Sequence, residues 1–368
     1  MRRIALAQPH LAGNERAYVL DCIDSNWISS IGKYVTEFEQ RFASFCGVPH
    51  AIATNNGTTA LHLALVALGL QAGDEVLVPD LTYIATANAV QYCGATPVFV
   101  DIDEHTLNID PALVEAQITP RTKGIIAVHL YGHPADMMAL QLIARRHGLW
   151  LVEDAAEAHG AEIGGRRVGS LGDCATFSFF GNKIITTGEG GMVTTTDAAL
   201  AARLRLLRGQ GMDPDRRYWF PVVGFNYRIT NIQAALGVAQ METVDASLDA
   251  RDRLAAWYLE DLAPLEGLVL TKGTQPCMRR VHWMFNVFLA DGGEERRARV
   301  MEALDQRGIE TRPMFYPMHL MPPYATPDRF PVTTSWAARG ITLPTHQGVT
   351  RDDVHYICQQ LQAVLGGS

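Results

Sequence analysis

No stretch of this sequence approaches the roughly 18 consecutive apolar residues of a membrane span, which argues against a membrane-embedded chain. The N-terminus, Met1–Arg2–Arg3–Ile4–Ala5–Leu6–Ala7–Gln8–Pro9, carries two arginines, but its apolar stretch is too short for a signal-peptide core. Cysteine is scarce: Cys22, Cys46, Cys93, Cys174, Cys277 and Cys358 are scattered, and none forms a CxxC pair. That distribution fits reduced thiols and excludes a disulfide frame or a zinc site. The twelve histidines show no HExxH or comparable metal-ligand spacing. Basic residues never gather into a long patch; Arg203–Leu204–Arg205–Leu206–Leu207–Arg208 comes nearest and reads as a helix face. With a formal net charge of −8, a nucleic-acid partner is not expected. Internal repeats and low-complexity linkers are missing too. These absences predict a cytoplasmic protein with no metal and no membrane partner.

What is present describes an ordinary globular chain: 368 residues, 48% apolar and 19% charged, long enough for a large core and more than one domain. Val35, Phe38, Phe42 and Phe45 recur at helical spacing. Strand and helix patterns then alternate. Strands are expected at Glu75–Pro79, Thr96–Asp101, Gly124–His129, Gly148–Asp154, Ala175–Phe179 and Gly191–Thr195, with helices opening near Thr82 and over Pro111–Ile118 and Met137–His147. Such alternation predicts an α/β fold, a mostly parallel sheet flanked by helices. Near Gln240 the pattern shifts to a long helical stretch over Asn231–Leu262, a strand over Val281–Leu289, and helices over Glu294–Arg307 and Thr350–Leu365. The expected organisation is a large domain over 1–240 and a smaller C-terminal α+β domain over 241–368, with the N-terminal segment free to pack on the latter.

Three local patterns carry chemistry. Lys183 follows the run Phe177–Ser178–Phe179–Phe180–Gly181–Asn182 and precedes Gly188–Glu189–Gly190–Gly191. A lysine with apolar residues on both sides loses hydration, which lowers its pKa and makes it a nucleophile toward carbonyls. Alone, it would read as a solvated surface cation. Asp154 ends an apolar strand, where ligands collect in open α/β sheets. A lysine for an aldehyde and an aspartate for a pyridinium nitrogen is the pair that pyridoxal phosphate (PLP) requires. The third pattern, Ala51–Ile52–Ala53–Thr54–Asn55–Asn56–Gly57–Thr58–Thr59–Ala60, is a short strand, a small-residue turn and an apolar helix. It offers free backbone N–H groups to a phosphate; its plainer reading is an ordinary Asn or Thr N-cap. Tyr83, just past a strand end, could stack on a flat ring or simply pack. Exposed Trp27 reads as a packing or lid residue, or as part of a substrate pocket.

These motifs, with Glu153–Asp154–Ala155–Ala156–Glu157–Ala158–His159–Gly160 and Gly224–Phe225–Asn226–Tyr227–Arg228, resemble the sugar aminotransferases of the DegT/DnrJ/EryC1/StrS family nearly end to end. The resemblance implies the fold-type I, aspartate-aminotransferase-like architecture and PLP as cofactor. It implies that Lys183 bonds to the cofactor and moves a proton, and that Asp154 pairs with the ring nitrogen. Glu157 would lie near the phenolic oxygen, where many relatives have glutamine. Gly57, Thr58 and Ser178 would hold the phosphate, with Asn226 reaching it from a neighbouring subunit of a homodimer whose active sites are shared. Asn182 is grouped with the cofactor contacts, and Tyr83 would stack on the ring. Trp27, Arg228 and His319 become candidates for the nucleotide sugar. L-glutamate is the implied donor.

The stretches Trp27–Ile28–Ser29–Ser30, Leu207–Arg208–Gly209–Gln210–Gly211–Met212–Asp213–Pro214 and Arg312–Pro313–Met314–Phe315–Tyr316–Pro317–Met318–His319 point, by the same resemblance, to GDP-4-keto-6-deoxymannose as acceptor, aminated at carbon 4. A dTDP- or UDP-linked keto sugar, or amination at carbon 3, keeps the chemistry and changes the pocket. A PLP-dependent sugar dehydratase resembles this family with histidine in place of the lysine, so Lys183 argues against it. A non-catalytic PLP-binding sensor has no DNA-binding motif to support it.

Overall fold

The computed structural model describes residues 3–271 and 277–366. Met1 and Arg2, the start of the N-terminal stretch read above, lie outside them. A seven-stranded sheet forms the centre, in the order His50–Thr54, Gly191–Thr195, Cys174–Ser178, Trp150–Asp154, Thr122–Val128, Glu75–Pro79, Thr96–Val100. The last five of these run parallel; Gly191–Thr195 is antiparallel to both neighbours. Parallel strands are covered on both faces, which is why they read as continuous apolar runs. Alternate residues nevertheless divide between two cores. Ile52, Val76, Val78, Ile126, Val152 and Val193 pack with the helix Gly57–Ala67 on one side. Leu77, Ile125, Ala127, Leu151 and Phe177 pack with the helices Lys33–Cys46 and Met137–His147 on the other.

A second, four-stranded antiparallel sheet follows in the order Leu268–Val269, Phe285–Leu289, Gly340–Leu343, Arg312–Pro313. Helices Val244–Leu262, Glu294–Asp305 and Arg351–Gly366 cover it around Tyr258, Val287, Leu304 and Ile357. The N-terminal segment joins this part: Ile4 pairs with Ile309, and the Leu6 carbonyl accepts from the Thr345 N–H at 2.8 Å.

Three elements differ from the sequence reading. The stretch over Asn231–Leu262 is two helices, Asn231–Glu242 and Val244–Leu262, broken at Thr243, whose φ of −117° is not helical. The strand expected over Val281–Leu289 begins at Phe285. Residues before it spend their hydrogen bonds elsewhere: the Val281 N–H donates to the Gly132 carbonyl at 3.0 Å, and Trp283 turns its indole toward Asn182. The helix over Pro111–Ile118 tightens to a 3₁₀ turn after Val114.

Candidate active site

Asp154 and Ser178 end adjacent parallel strands, and Gly57 opens the helix that follows the edge strand. All three therefore lie along the carboxyl edge of the sheet, where free strand ends and helix N-termini leave room for a ligand. Asp154 is buried. Its Oδ2 accepts from the Thr86 hydroxyl at 2.8 Å and its Oδ1 from the Ala156 N–H at 3.3 Å. Burial raises its pKa, while those donors and the Lys183 charge oppose the rise. One carboxylate is thus held at a strand end in a dry site, suited to pair with a cationic ring nitrogen.

Lys183 rides on a loop closed at its base. Phe179 and Gly190 are tied by a 2.8 Å backbone bond, the Thr187 N–H donates to the Phe179 carbonyl at 2.9 Å, and Phe180 bridges Gly188. Gly188 has a φ of +78°, so the turn after the lysine needs glycine. The lysine side chain is only 11% exposed, and its Nζ lies 3.7 Å from Glu157 Oε1. Desolvation lowers the lysine's pKa, opposed by Glu157 and Asp154; the same burial pushes Glu157 up to about 7. Each partner is driven toward its neutral form, and a free amine is the form that attacks a carbonyl. The second oxygen of Glu157 accepts from the Tyr131 N–H at 2.8 Å.

Asn56 caps the Gly57–Ala67 helix, its side chain accepting from the Thr59 N–H at 2.9 Å. The plainer reading of this turn, an Asn cap, is therefore present. A cradle is present as well. A Cβ on Gly57 would lie 2.8 Å from Ser178 Cβ, so the helix start and the strand end touch with no side chain between them. The Thr59 hydroxyl is spent on Asn55 and Asn56. Ser178 Oγ makes a long 3.4 Å bond with the Phe180 N–H. Gly57 and Ser178 thus meet at a helix N-terminus, which favours an anion, with Thr58 in the helix's first turn.

The remaining candidates are spread more widely. Tyr83 is 59% exposed, its ring 5.8 Å from Phe315. The Asn182 side-chain oxygen is buried with no partner among the described residues. Asn226 accepts from Arg228 at 3.1 and 3.0 Å, and the Tyr227 carbonyl between them accepts from the Asn55 N–H at 2.9 Å, so this strip borders the cradle of its own chain. His319 is buried, with Nδ1 2.6 Å from Asp80 Oδ2 and its backbone N–H on Asp80 Oδ1. Trp27 is 55% exposed and lines an open cavity of about 600 Å3 with Lys33, Glu39 and Arg208.

Three residues that frame the site were missed in the sequence. Thr86 orients Asp154; its only signal is the spacing from Thr82, whose hydroxyl it meets at 3.2 Å. Trp283 lies under the lysine amine, and Tyr131 stacks on Trp283 and donates its N–H to Glu157; nothing local marks either. The residues present fit PLP: an amine of lowered pKa, a carboxylate at a strand end, a helix N-terminus where Gly57 leaves no side chain against Ser178, and a buried amide oxygen beside the lysine with no partner among the described residues.

Residues 9–362 match the DegT/DnrJ/EryC1/StrS aminotransferase family. A protein of Caulobacter vibrioides called GDP-perosamine synthase is 59% identical over 99% of this chain and 98% of its own length. Another of that name from Escherichia coli O157:H7 is 44% identical over 98% of each chain. Among solved structures, S. venezuelae DesV in complex with a ketimine intermediate superposes with a TM-score of 0.92 at 39% identity, covering 99% of this chain and 98% of that one. The chain belongs to the DegT/DnrJ/EryC1/StrS aminotransferase family and is a PLP-dependent sugar aminotransferase.

Proposed function

We propose that the protein transfers the amino group of L-glutamate to carbon 4 of GDP-4-keto-6-deoxymannose, giving GDP-perosamine. The observation that carries this reading is the full-length similarity to the two proteins named GDP-perosamine synthase, with the amine that transamination needs in place at Lys183. A sugar dehydratase of this family resembles it with histidine at that position.

When bound, PLP supplies an electron sink and a carrier for the amino group. The chain supplies the rest. Lys183 would bond to the cofactor at rest and, once released as a free amine, would take the donor's Cα proton onto its Nζ and hold it for return. Asp154, oriented by Thr86, holds the ring nitrogen protonated. Glu157 donates or accepts a proton beside the phenolic oxygen, which its raised pKa permits. Gly57, Thr58 and Ser178 receive the phosphate, joined by Asn226 of a second subunit in a homodimer, with Asn182 alongside. Tyr83 covers the ring face. Arg228, His319 and Trp27 contact the nucleotide sugar. The large and small domains divide near residue 240, with the site at the edge of the larger.

The test is an absorbance spectrum of glutamate-treated protein as GDP-4-keto-6-deoxymannose is added. Return of the band of lysine-bound cofactor establishes aminotransfer and this acceptor together. No return from protein that had responded to glutamate keeps the aminotransferase and discards this acceptor.

A further inference from the structure

Trp283 touches Lys183 twice. Its indole N–H donates to the Asn182 carbonyl at 2.9 Å, the peptide group that joins Asn182 to Lys183. Its ring face lies under the lysine amine, with Nζ 3.7 Å from the ring centroid. The indole is 5% exposed. It is held by stacking on Tyr131, at 5.8 Å and 16°, and Tyr131 stacks in turn on Phe315 at 5.3 Å and 12°. The wall beneath the amine is therefore a packed aromatic column, with little freedom to retreat.

We propose that Trp283 is a positioning residue for the Lys183 amine: its ring face holds the protonated amine while that amine is not bonded to the cofactor, and its N–H keeps the lysine's backbone in place. This rests on Lys183 being the cofactor-bonding amine.

A buried ammonium that has shed its water needs compensation, and among the described residues Glu157, Asp154 and the Trp283 ring offer it. Glu157 is 3.7 Å away, but burial drives it toward its neutral form and weakens it as a counter-ion. The negative face of an indole attracts a cation and does not titrate. The other ionisable groups facing the amine are Asp154, whose charge favours the ammonium, and His159, held neutral by burial. Among these described partners of the ammonium, the indole is the one that does not titrate. Removing the ring face withdraws stabilisation from the charged amine alone, so the amine's pKa must fall further. A residue that merely packs would leave it unchanged.

The test uses the holoenzyme, carried by glutamate to the pyridoxamine form, freed of that cofactor and reloaded with PLP. The rate of covalent loading is followed by absorbance against pH, and borohydride fixation with peptide mass spectrometry locates the bond. Loading needs the free amine, so its acid limb reports the amine's pKa. Trp283→Leu is expected to move that limb down by about one pH unit. Trp283→Phe keeps a ring face and loses the N–H, so it should load a few-fold more slowly with its limb near that of wild type. Protein grown with 5-fluoro- and 5,7-difluorotryptophan keeps the shape and weakens the ring face; its limb should step downward in that order, which serves if the leucine variant does not fold. A limb unmoved in folded Trp283→Leu, or across the fluorinated series, overturns the proposal. Failure to fix PLP at Lys183 in wild-type protein would instead overturn the reading on which it rests.

Discussion

Gly57 and Ser178 meet so closely that a methyl group on the glycine would sit 2.8 Å from the serine's Cβ and 3.2 Å from its Oγ. The contact joins the N-terminus of the Gly57–Ala67 helix to the end of the Cys174–Ser178 strand, and the proposed phosphate site depends on it. Gly57→Ala should therefore push the two apart and weaken PLP binding by at least about tenfold. Ser178→Ala removes one bond to a charged phosphate, worth about 1.5–3 kcal/mol, and should weaken binding by a similar factor. Titration of cofactor-free protein with PLP, followed by absorbance, checks both; unchanged affinity in both variants would place the phosphate elsewhere.

Lys183→Ala should still bind PLP, because the cradle and Asp154 remain, but turnover with glutamate should disappear. In the proposed reaction this amine moves the proton. Undiminished transamination by this variant would remove Lys183 from the mechanism.

Thr86→Val should disturb Asp154. It takes away the 2.8 Å hydroxyl donor and leaves an oxygen of a buried carboxylate short of a partner, at a cost of about 1–3 kcal/mol. Cofactor affinity should fall several-fold, while Thr86→Ser, which keeps the hydroxyl, should stay close to wild type. Equal behaviour of the two variants would separate Thr86 from the site's electrostatics.

Stability without cofactor should depend on pH in two opposed windows. Glu157 rises from its ordinary 4.5 to about 7 on folding. The folded state thus binds more protons than the unfolded state between those values, and stability falls as pH rises through them. Lys183 is shifted down from 10.5; the folded state there binds fewer protons, and stability climbs as pH rises toward 10.5. Thermal unfolding of cofactor-free protein should show the fall between about 4.5 and 7 and the opposing climb toward 10.5. Glu157→Gln should flatten the fall between about 4.5 and 7. An equal slope in that variant would detach Glu157 from the pH response.

If Asn226 acts on the neighbouring subunit's phosphate, mixing inactive Lys183→Ala with Asn226→Ala subunits should restore part of the activity, since one site in each mixed dimer is then intact. Absence of any restoration would assign Asn226 to its own chain, where the adjacent Tyr227 carbonyl already holds the Asn55 N–H.

Much of this protein follows from chain-local physics. The Trp150–Asp154 run is apolar until it reaches its carboxylates, so the sequence alone announces a buried strand with a charge at its end. The turn after Lys183 is rich in glycine because the backbone there reaches φ of +78°. Those signals lie within a few residues of the groups they mark, and with the alternation of strands and helices they pointed to the fold class and the cofactor.

Tertiary structure decided what surrounds them. Thr86 reaches Asp154 across 68 positions of sequence, and Trp283 reaches Asn182 across 101. No periodicity or spacing encodes such meetings, because which side chains share a wall depends on strand order and on the packing of one core against another. For the same reason the Val281–Met284 segment read as strand: its residues are apolar enough to form one, but their hydrogen bonds go to Gly132 and Asn182, partners that only the folded chain brings near.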